Sequence, residues 1–333
     1  MFNKLAYSAV ALTVSIGTVM SCQAEAMGKD YASAFNQVKQ INAGDLNVGY
    51  VDIGPKEGQP VILLHGWPYD IHSYAEVAPA LAAKGYRVIV PSLRGYGTTR
   101  FISDKTPRNG QPSAMAKDIV NLMDALNIKQ AVFAGYDWGA RTADIVAALW
   151  PERAKSLVSV SGYLISSQAI GKQPLPPKVE VQWWYQFYFA TPRGAEGYAK
   201  NTHDFARLIW SQASPDWKFS DATFNASAKS LDNPDHVAVT LSNYRWRLGL
   251  GLEKGEPKYD AYEQKLATLP NITVPTITIE GGNNGAPHPA PAAYAGKFTG
   301  KYEHRTFGAT VGHNPPQEDP QDFVKAVVDA DKL

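Results

Sequence analysis

Gly135-Tyr136-Asp137-Trp138-Gly139 follows an apolar run, Ala131-Val132-Phe133-Ala134, and sets a carboxylate between two glycines. The frame is G-x-S-x-G with aspartate in the serine position, a strand–turn–helix elbow that displays its central side chain above the edge of a sheet. A serine there attacks a carbonyl carbon. A carboxylate is a weaker nucleophile, suited to displacing a leaving group from saturated carbon and so forming an ester with the enzyme. The helix N-terminus that follows favours an anion at this point. Aspartate is also a preferred helix N-cap, and GYDWG by itself leaves nucleophile and cap equally open.

Two further stretches favour the nucleophile. His65-Gly66-Trp67-Pro68 directly follows the apolar Val61-Ile62-Leu63-Leu64, the position from which a loop in folds built on such an elbow supplies a backbone N–H to it. The main chains of Trp67 and Trp138 are the expected donors of an oxyanion hole. Gly312-His313-Asn314-Pro315 lies in a loop near the C-terminus, between a strand-like stretch and a helix. Of the seven histidines, His313 alone combines that position with a loop setting. His72, His203, His236, His288 and His304 are expected on the surface or in packing, and His65 is expected to shape its own loop. Arg94-Gly95-Tyr96-Gly97 reads as a structural turn.

Positioning these groups requires a sheet. Val61-Ile62-Leu63-Leu64, Tyr86-Arg87-Val88-Ile89-Val90, and the stretches 131–134, 156–160 and 276–279 are short, rich in β-branched residues and nearly all apolar. Strands buried on both faces of a parallel sheet read this way. Between two of them, Met115, Ile119, Met123 and Leu126 share one helical face. Alternating strands and helices predict an α/β fold with a doubly wound, mostly parallel sheet. The pattern breaks at about residues 163–269, where a proline cluster, an aromatic block and helical segments replace strand runs. A mainly helical cap inserted between the sixth and seventh strands accounts for this, with residues 27–162 and 270–333 forming the core.

The composition narrows the partners. A formal net charge of +1, with no block of lysine and arginine, argues against a nucleic-acid binder. Residues 1–26 read as a signal peptide: a short positive start, an apolar stretch over residues 5–20, and Ala24-Glu25-Ala26 as an A-x-A cleavage site. An exported, periplasmic or secreted protein is expected. The single cysteine, Cys22, precedes the cut, so the mature chain carries no thiol. Val19-Met20-Ser21-Cys22 also resembles a bacterial lipoprotein site, which Met20 fits poorly; a membrane anchor is expected only if Cys22 is lipidated.

Taken in order, HGWP, RGYG, GYDWG and GHNPPQEDP resemble the epoxide hydrolases of the α/β-hydrolase fold over essentially the whole mature chain. Tyr185-Gln186-Phe187-Tyr188-Phe189 is similar to the cap segment whose first tyrosine holds the epoxide oxygen, and Asn243-Tyr244-Arg245 to the segment carrying a second. The resemblance implies that Asp137 forms the ester and His313 activates water to resolve it. It implies that Tyr185 and Tyr244 stabilise and protonate the departing oxygen, which is otherwise a poor leaving group. Trp183, Trp184, Tyr188 and Phe189 are expected to pack the cap. No cofactor or metal is implied, and the aromatic cap implies a small apolar epoxide.

One position departs from the family. The acid that orients the histidine usually stands nine residues after a proline, and from Pro275 that count lands on Asn284. An amide can accept from the histidine ring and fix its tautomer, but it does not stabilise an imidazolium as a carboxylate does. Val160-Ser161-Gly162, the alternative place for the acid, holds none, and Glu280 is expected still within its strand. Haloalkane and haloacetate dehalogenases share the aspartate nucleophile but bind halide through tryptophan or asparagine N–H groups. Haloacetate enzymes tend to carry arginine after the nucleophile, where this chain has Trp138. A hydrolase-like binding protein with weak turnover is the remaining alternative.

Overall fold

The computed structural model describes residues 33–250, 256–286 and 288–333. The expected signal peptide and Cys22 lie outside them. Nine strands form one sheet: β1 (Lys39–Ala43), β2 (Leu46–Ile53), β3 (Pro60–Leu64), β4 (Arg87–Pro91), β5 (Arg100–Phe101), β6 (Ala131–Gly135), β7 (Ala154–Val160), β8 (Thr276–Glu280) and β9 (Tyr302–Thr306). Their spatial order is β1-β2-β4-β3-β6-β7-β8-β9, with β5 paired to β2. From β4 to β9 every pairing is parallel, while β1, β2 and β5 add an antiparallel edge.

The apolar runs are the central strands. Val61 to Leu64 and Ala131 to Ala134 are fully buried, as strands covered by helices on both faces must be. Their register sets Leu64 beside Gly135, so the loops carrying Trp67 and Asp137 leave the same edge of the sheet. The antiparallel edge is less legible in sequence, because β1 exposes most of its side chains and β5 is only two residues long. With β5 counted, the helical insertion follows β7 and precedes β8, one place later than the expected sixth and seventh strands.

Between β7 and β8 the described residues are mainly helical, with Trp184–Ala190, Pro192–Lys200, Thr202–Ala213 and His236–Arg247 among the helices. Their starts are written locally. Thr191 accepts from Gly194 N–H at 2.9 Å ahead of Pro192, and Ser220 accepts from Thr223 N–H at 3.1 Å. Phe189, Tyr198 and Phe205 pack edge to face or tilted, with centroids 4.8 to 5.2 Å apart, and form the apolar nucleus of this layer. Phe189 and Tyr198 are fully buried. Arg94 is structural, as its turn implies: Nε and Nη2 donate to Asp118 at 2.6 and 2.7 Å.

Candidate active site

Asp137 caps the helix Trp138–Leu149 by position but makes no capping hydrogen bond with its side chain. It adopts φ 51° and ψ −122°, a left-handed conformation that a non-glycine residue holds only when its surroundings enforce it. The surroundings are close. A Cβ at Gly139 would lie 1.9 Å from the Leu64 carbonyl oxygen, and one at Gly135 2.5 Å from the Gly139 backbone, so both glycines are needed for the turn. A Cβ at Gly66 would meet the Asp137 Cβ at 2.5 Å. The side chain thus points away from its helix and toward the HGWP loop.

There Trp67 N–H donates to Asp137 Oδ1 at 2.8 Å, and His313 Nε2 stands 3.5 Å from Oδ2. The Trp138 N–H, at the first position of its helix, has no carbonyl of that helix to bond. Burial pushes the Asp137 carboxyl up, but His313, the Arg141 charge and the Trp67 N–H outweigh it and hold the group at about 2. A buried carboxylate that stays ionised and is flanked by a histidine has the attributes of a nucleophile rather than a cap.

His313 is oriented from behind. Its Nδ1 lies 3.2 Å from Asn284 Oδ1. Asn284 Nδ2 donates to Glu280 Oε1 at 2.7 Å, which fixes the amide so that its oxygen faces the imidazole. With Nδ1–H donating to Asn284, the neutral ring leaves Nε2 free as an acceptor on the Asp137 side. Glu280 is the last residue of β8, and burial raises its carboxyl above the usual range. A residue to which the sequence assigns no role holds the loop itself. Glu318 accepts from Gly312 N–H at 2.6 Å and from Asn314 N–H at 2.9 Å, bracketing His313. A glutamate five residues after a loop histidine, at the end of a proline-started helix, is the signal that marks it.

Across from these groups stand the two tyrosines, from different cap helices. Tyr185 and Tyr244 rings are 5.3 Å apart at 85°, and both lie against Trp67, at 5.0 and 4.9 Å. Burial raises both phenols, helped by Asp137 at Tyr185 and by Tyr185 and then Asp137 at Tyr244, so they remain protonated donors. The Tyr244 hydroxyl and Trp138 Nε1 have no hydrogen-bond partner among the described residues. Trp67 Nε1, by contrast, is occupied: it donates to the Tyr198 hydroxyl at 2.9 Å, and Tyr198 continues to His236 at 2.7 Å. His236 closes this chain on the Gly95 carbonyl at 2.9 Å, which makes it a packing residue. His65 accepts from Leu93 N–H at 3.1 Å and holds its loop.

Asp137, His313, Trp67, Tyr185 and Trp183 line one small cavity of about 30 Å³. A larger one of about 440 Å³ lies among Asn109, Gln111, Ser167, Trp246 and Glu263, but no nucleophile–base pair faces it. Chemistry therefore assigns the site to the smaller cavity. Trp183 belongs to its wall rather than only to cap packing. His288 also comes closer than expected, its ring parallel to His313 at 6.1 Å. Arg141, four residues after Asp137, is buried with its charge acting on the Asp137 carboxyl, and no sequence motif points to it. A single arginine among the small and apolar residues Ala140 to Leu149, one turn from the nucleophile, is the signal the sequence does carry. Among the described residues no cluster of three or more histidine, cysteine, aspartate or glutamate side chains could hold a metal, and no helix is long and apolar enough to cross a membrane.

A strand-borne elbow, a loop histidine near the C-terminus and a helical insertion over the sheet edge define one class. The sequence pattern of the α/β-hydrolase fold matches residues 59–313, and the chain belongs to that family. A crystal structure of a candidate epoxide hydrolase from Klebsiella pneumoniae is similar at 77% identity and TM-score 0.89, covering 91% of this chain and 99% of that one. Epoxide hydrolase B of Mycobacterium tuberculosis is 33% identical over 152 residues, 42% of this chain and 42% of that protein, so the match spans less than half of its length. A haloalkane dehalogenase of Mycobacterium marinum is 27% identical over 79% of this chain and 87% of its own.

Proposed function

We propose that the protein hydrolyses an epoxide to a vicinal diol through an alkyl ester on Asp137. A carboxylate oxygen attacks an oxirane carbon, the C–O bond breaks, and the departing oxygen takes a proton from Tyr185 or Tyr244. His313 Nε2 then removes a proton from water, and the water oxygen attacks the ester carbonyl. The resulting oxyanion is held by the Trp67 and Trp138 N–H groups and collapses as the leaving alkoxide takes the proton from the His313 imidazolium, which releases the diol. The acid left on Asp137 gives its proton back to the tyrosinate and is again a carboxylate. The observation that carries this reading is the pair of buried phenols over the Asp137–His313 pair, because a departing alkoxide needs proton donors. The names of the relatives point the same way.

The test is a trapped ester. His313→Gln mixed with 1,2-epoxybutane is expected to gain the mass of the epoxide on the peptide containing Asp137, and Asp137→Ala to gain nothing. Wild-type turnover of an epoxide without any adduct in His313→Gln sinks the mechanism. Dehalogenation is the second reading, favoured by the unpartnered Trp138 Nε1, an N–H donor of the kind that receives a halide. Against it, Trp67 Nε1 is spent on Tyr198. Halide release from short haloalkanes faster than epoxide opening selects dehalogenation.

We place the protein outside the cytoplasm, on the pattern of residues 1–26. Mass spectrometry of the mature protein distinguishes cleavage after Ala26 from a lipidated Cys22, and an intact Met1 start overturns export.

A further inference from the structure

Arg141 stands one helical turn beyond the nucleophile. Its N–H donates to the Asp137 carbonyl at 3.0 Å, and its charge acts on the Asp137 carboxyl and on the Tyr185 and Tyr244 phenols. It is only 7% exposed. A guanidinium carries five N–H donors, and a buried charge is ordinarily paired. Arg94 shows how this fold satisfies such a group, with Asp118 and the Asn109 carbonyl as acceptors. Arg141 has no equivalent. Among the described residues its Nη1 lacks any hydrogen-bond partner, and it forms no ion pair.

The surroundings do not neutralise it. Arg247 lies over the same aromatic wall, its Cζ 5.8 Å from the Tyr244 ring centroid and 5.6 Å from that of Trp183. Burial, and then the Arg247 charge, lower the Arg141 guanidinium to about 10. The facing carboxylates are Asp137 and Asp144. Asp137 is engaged by Trp67 and His313. Asp144 accepts from Leu164 N–H at 2.7 Å, and burial pushes it up to about 7, so it offers only a partial charge near neutral pH. Two cations thus face one committed anion around Tyr185 and Tyr244, and the deficit is one negative charge.

We infer that Arg141, with Arg247 behind it, is an anion subsite of the Asp137 pocket, and that the substrate is a short epoxide bearing a carboxylate. A carboxylate pairs with guanidinium through parallel N–H···O bonds, which fixes orientation as well as position. Anchored one turn from Asp137, it holds an oxirane carbon in line with the attacking oxygen, the kind of positioning that lowers a barrier without further chemistry. Arg141 follows Asp137 by four residues and its charge acts on that carboxyl, so the acid group and the oxirane are separated by few bonds. The aromatic wall receives the remaining carbons. The epoxide in this statement rests on the proposed function, whereas the anion subsite does not.

Binding of unreactive isosteres separates the two. Cyclopropanecarboxylate and cyclopropanecarboxamide are titrated by calorimetry into the wild type, Arg141→Gln and Arg141→Lys, with melting curves to verify that each variant is folded. The carboxylate is expected to bind the wild type at least about ten-fold tighter than the amide, the scale of a buried charge-assisted hydrogen bond. Arg141→Gln should bring the ratio near one, and Arg141→Lys should keep part of it. A wild-type ratio of one or below overturns the subsite and needs no variant; so does a preference that survives in folded Arg141→Gln. Kinetics with 2,3-epoxypropanoate and its amide then address the substrate. Opening of the amide at least as fast as the acid overturns the carboxylate while the epoxide reading stands. Tight carboxylate binding with neither epoxide opened overturns the epoxide reading and leaves the subsite in place.

Discussion

Asn284 Oδ1 stands 3.2 Å from Nδ1 of His313, in the place where a carboxylate would ordinarily orient the ring. The amide does not act alone, since Glu280 accepts from its Nδ2 at 2.7 Å. A negative charge therefore lies one amide away from the imidazole, and the His313 charge in turn lowers the Glu280 carboxyl against the dominant effect of burial. The relay keeps the tautomer of a histidine–acid pair while moving its counter-charge back by one side chain.

Glu280→Gln is accordingly expected to slow ester hydrolysis and spare alkylation, because Asp137 attacks without a base. At an effective dielectric near 20, a charge some 7 Å away is worth about 2 kcal/mol, which sets the loss at roughly thirty-fold. Pre-steady-state kinetics resolve the two steps. An unchanged second step removes Glu280 from the mechanism.

Asn284→Asp alone should gain little. It places a second carboxylate against Glu280, and two such groups at hydrogen-bond distance hold a shared proton. The double variant Asn284→Asp with Glu280→Gln restores a single counter-charge next to His313 and should speed ester hydrolysis beyond the wild type. Asn284 precedes Gly285, a pair prone to deamidation, so peptide mass spectrometry must first establish the amide content.

Tyr185→Phe and Tyr244→Phe should each slow ring opening and leave it measurable, since one phenol remains. Together they should lower the alkylation rate by roughly a hundred- to ten-thousand-fold, the range of general acid catalysis. Single-turnover adduct formation in the His313→Gln background reads this step directly. A double variant that opens epoxides at the parent rate makes both residues packing.

Gly66→Ala drives a methyl group against Asp137, where the ideal Cβ lies 2.5 Å from the Asp137 Cβ. The nucleophile has to move, and a displacement of about 1 Å costs on the order of a hundred-fold in rate. The expected phenotype is a folded protein with kcat reduced by that scale, checked by kinetics beside circular dichroism.

Asp144 makes stability depend on pH. Burial raises its carboxyl from the ordinary 3.8 to about 7, against the Leu164 N–H, Ser159 and Arg141. Between those values the folded state holds a proton that the unfolded state has released, so this group lowers stability as pH rises from about 4 to about 7, after which its effect levels off. Asp144→Asn keeps the acceptor for Leu164 N–H and should flatten that decline. The gain reaches up to a few kcal/mol near pH 8, since one proton held over one pH unit is worth about 1.4 kcal/mol. Denaturant melts of both proteins at pH 5 and pH 8 provide the check: an equal pH dependence contradicts a buried, perturbed Asp144.

The sequence by itself determined the frame of the site. Apolar strands read clearly because both faces of a parallel sheet are buried, and GYDWG and GHNPP read clearly because an elbow needs glycines and a loop histidine follows the last strand. It also located Asn284 by counting from Pro275. The β1–β2 edge escaped, since exposed antiparallel strands lack a continuous apolar run. Only the tertiary structure decided what Asn284 is bonded to, because an amide's orientation depends on the acceptor behind it, and Glu280 reaches it from the end of a strand. The same holds for the two arginines. Arg94 and Arg141 look alike in sequence, each beside a turn or helix of the core, yet Arg94 pairs with Asp118 from another element and Arg141 forms no ion pair among the described residues. Whether a buried charge is spent or available is a property of what other chain segments bring to it, and no local spacing records that.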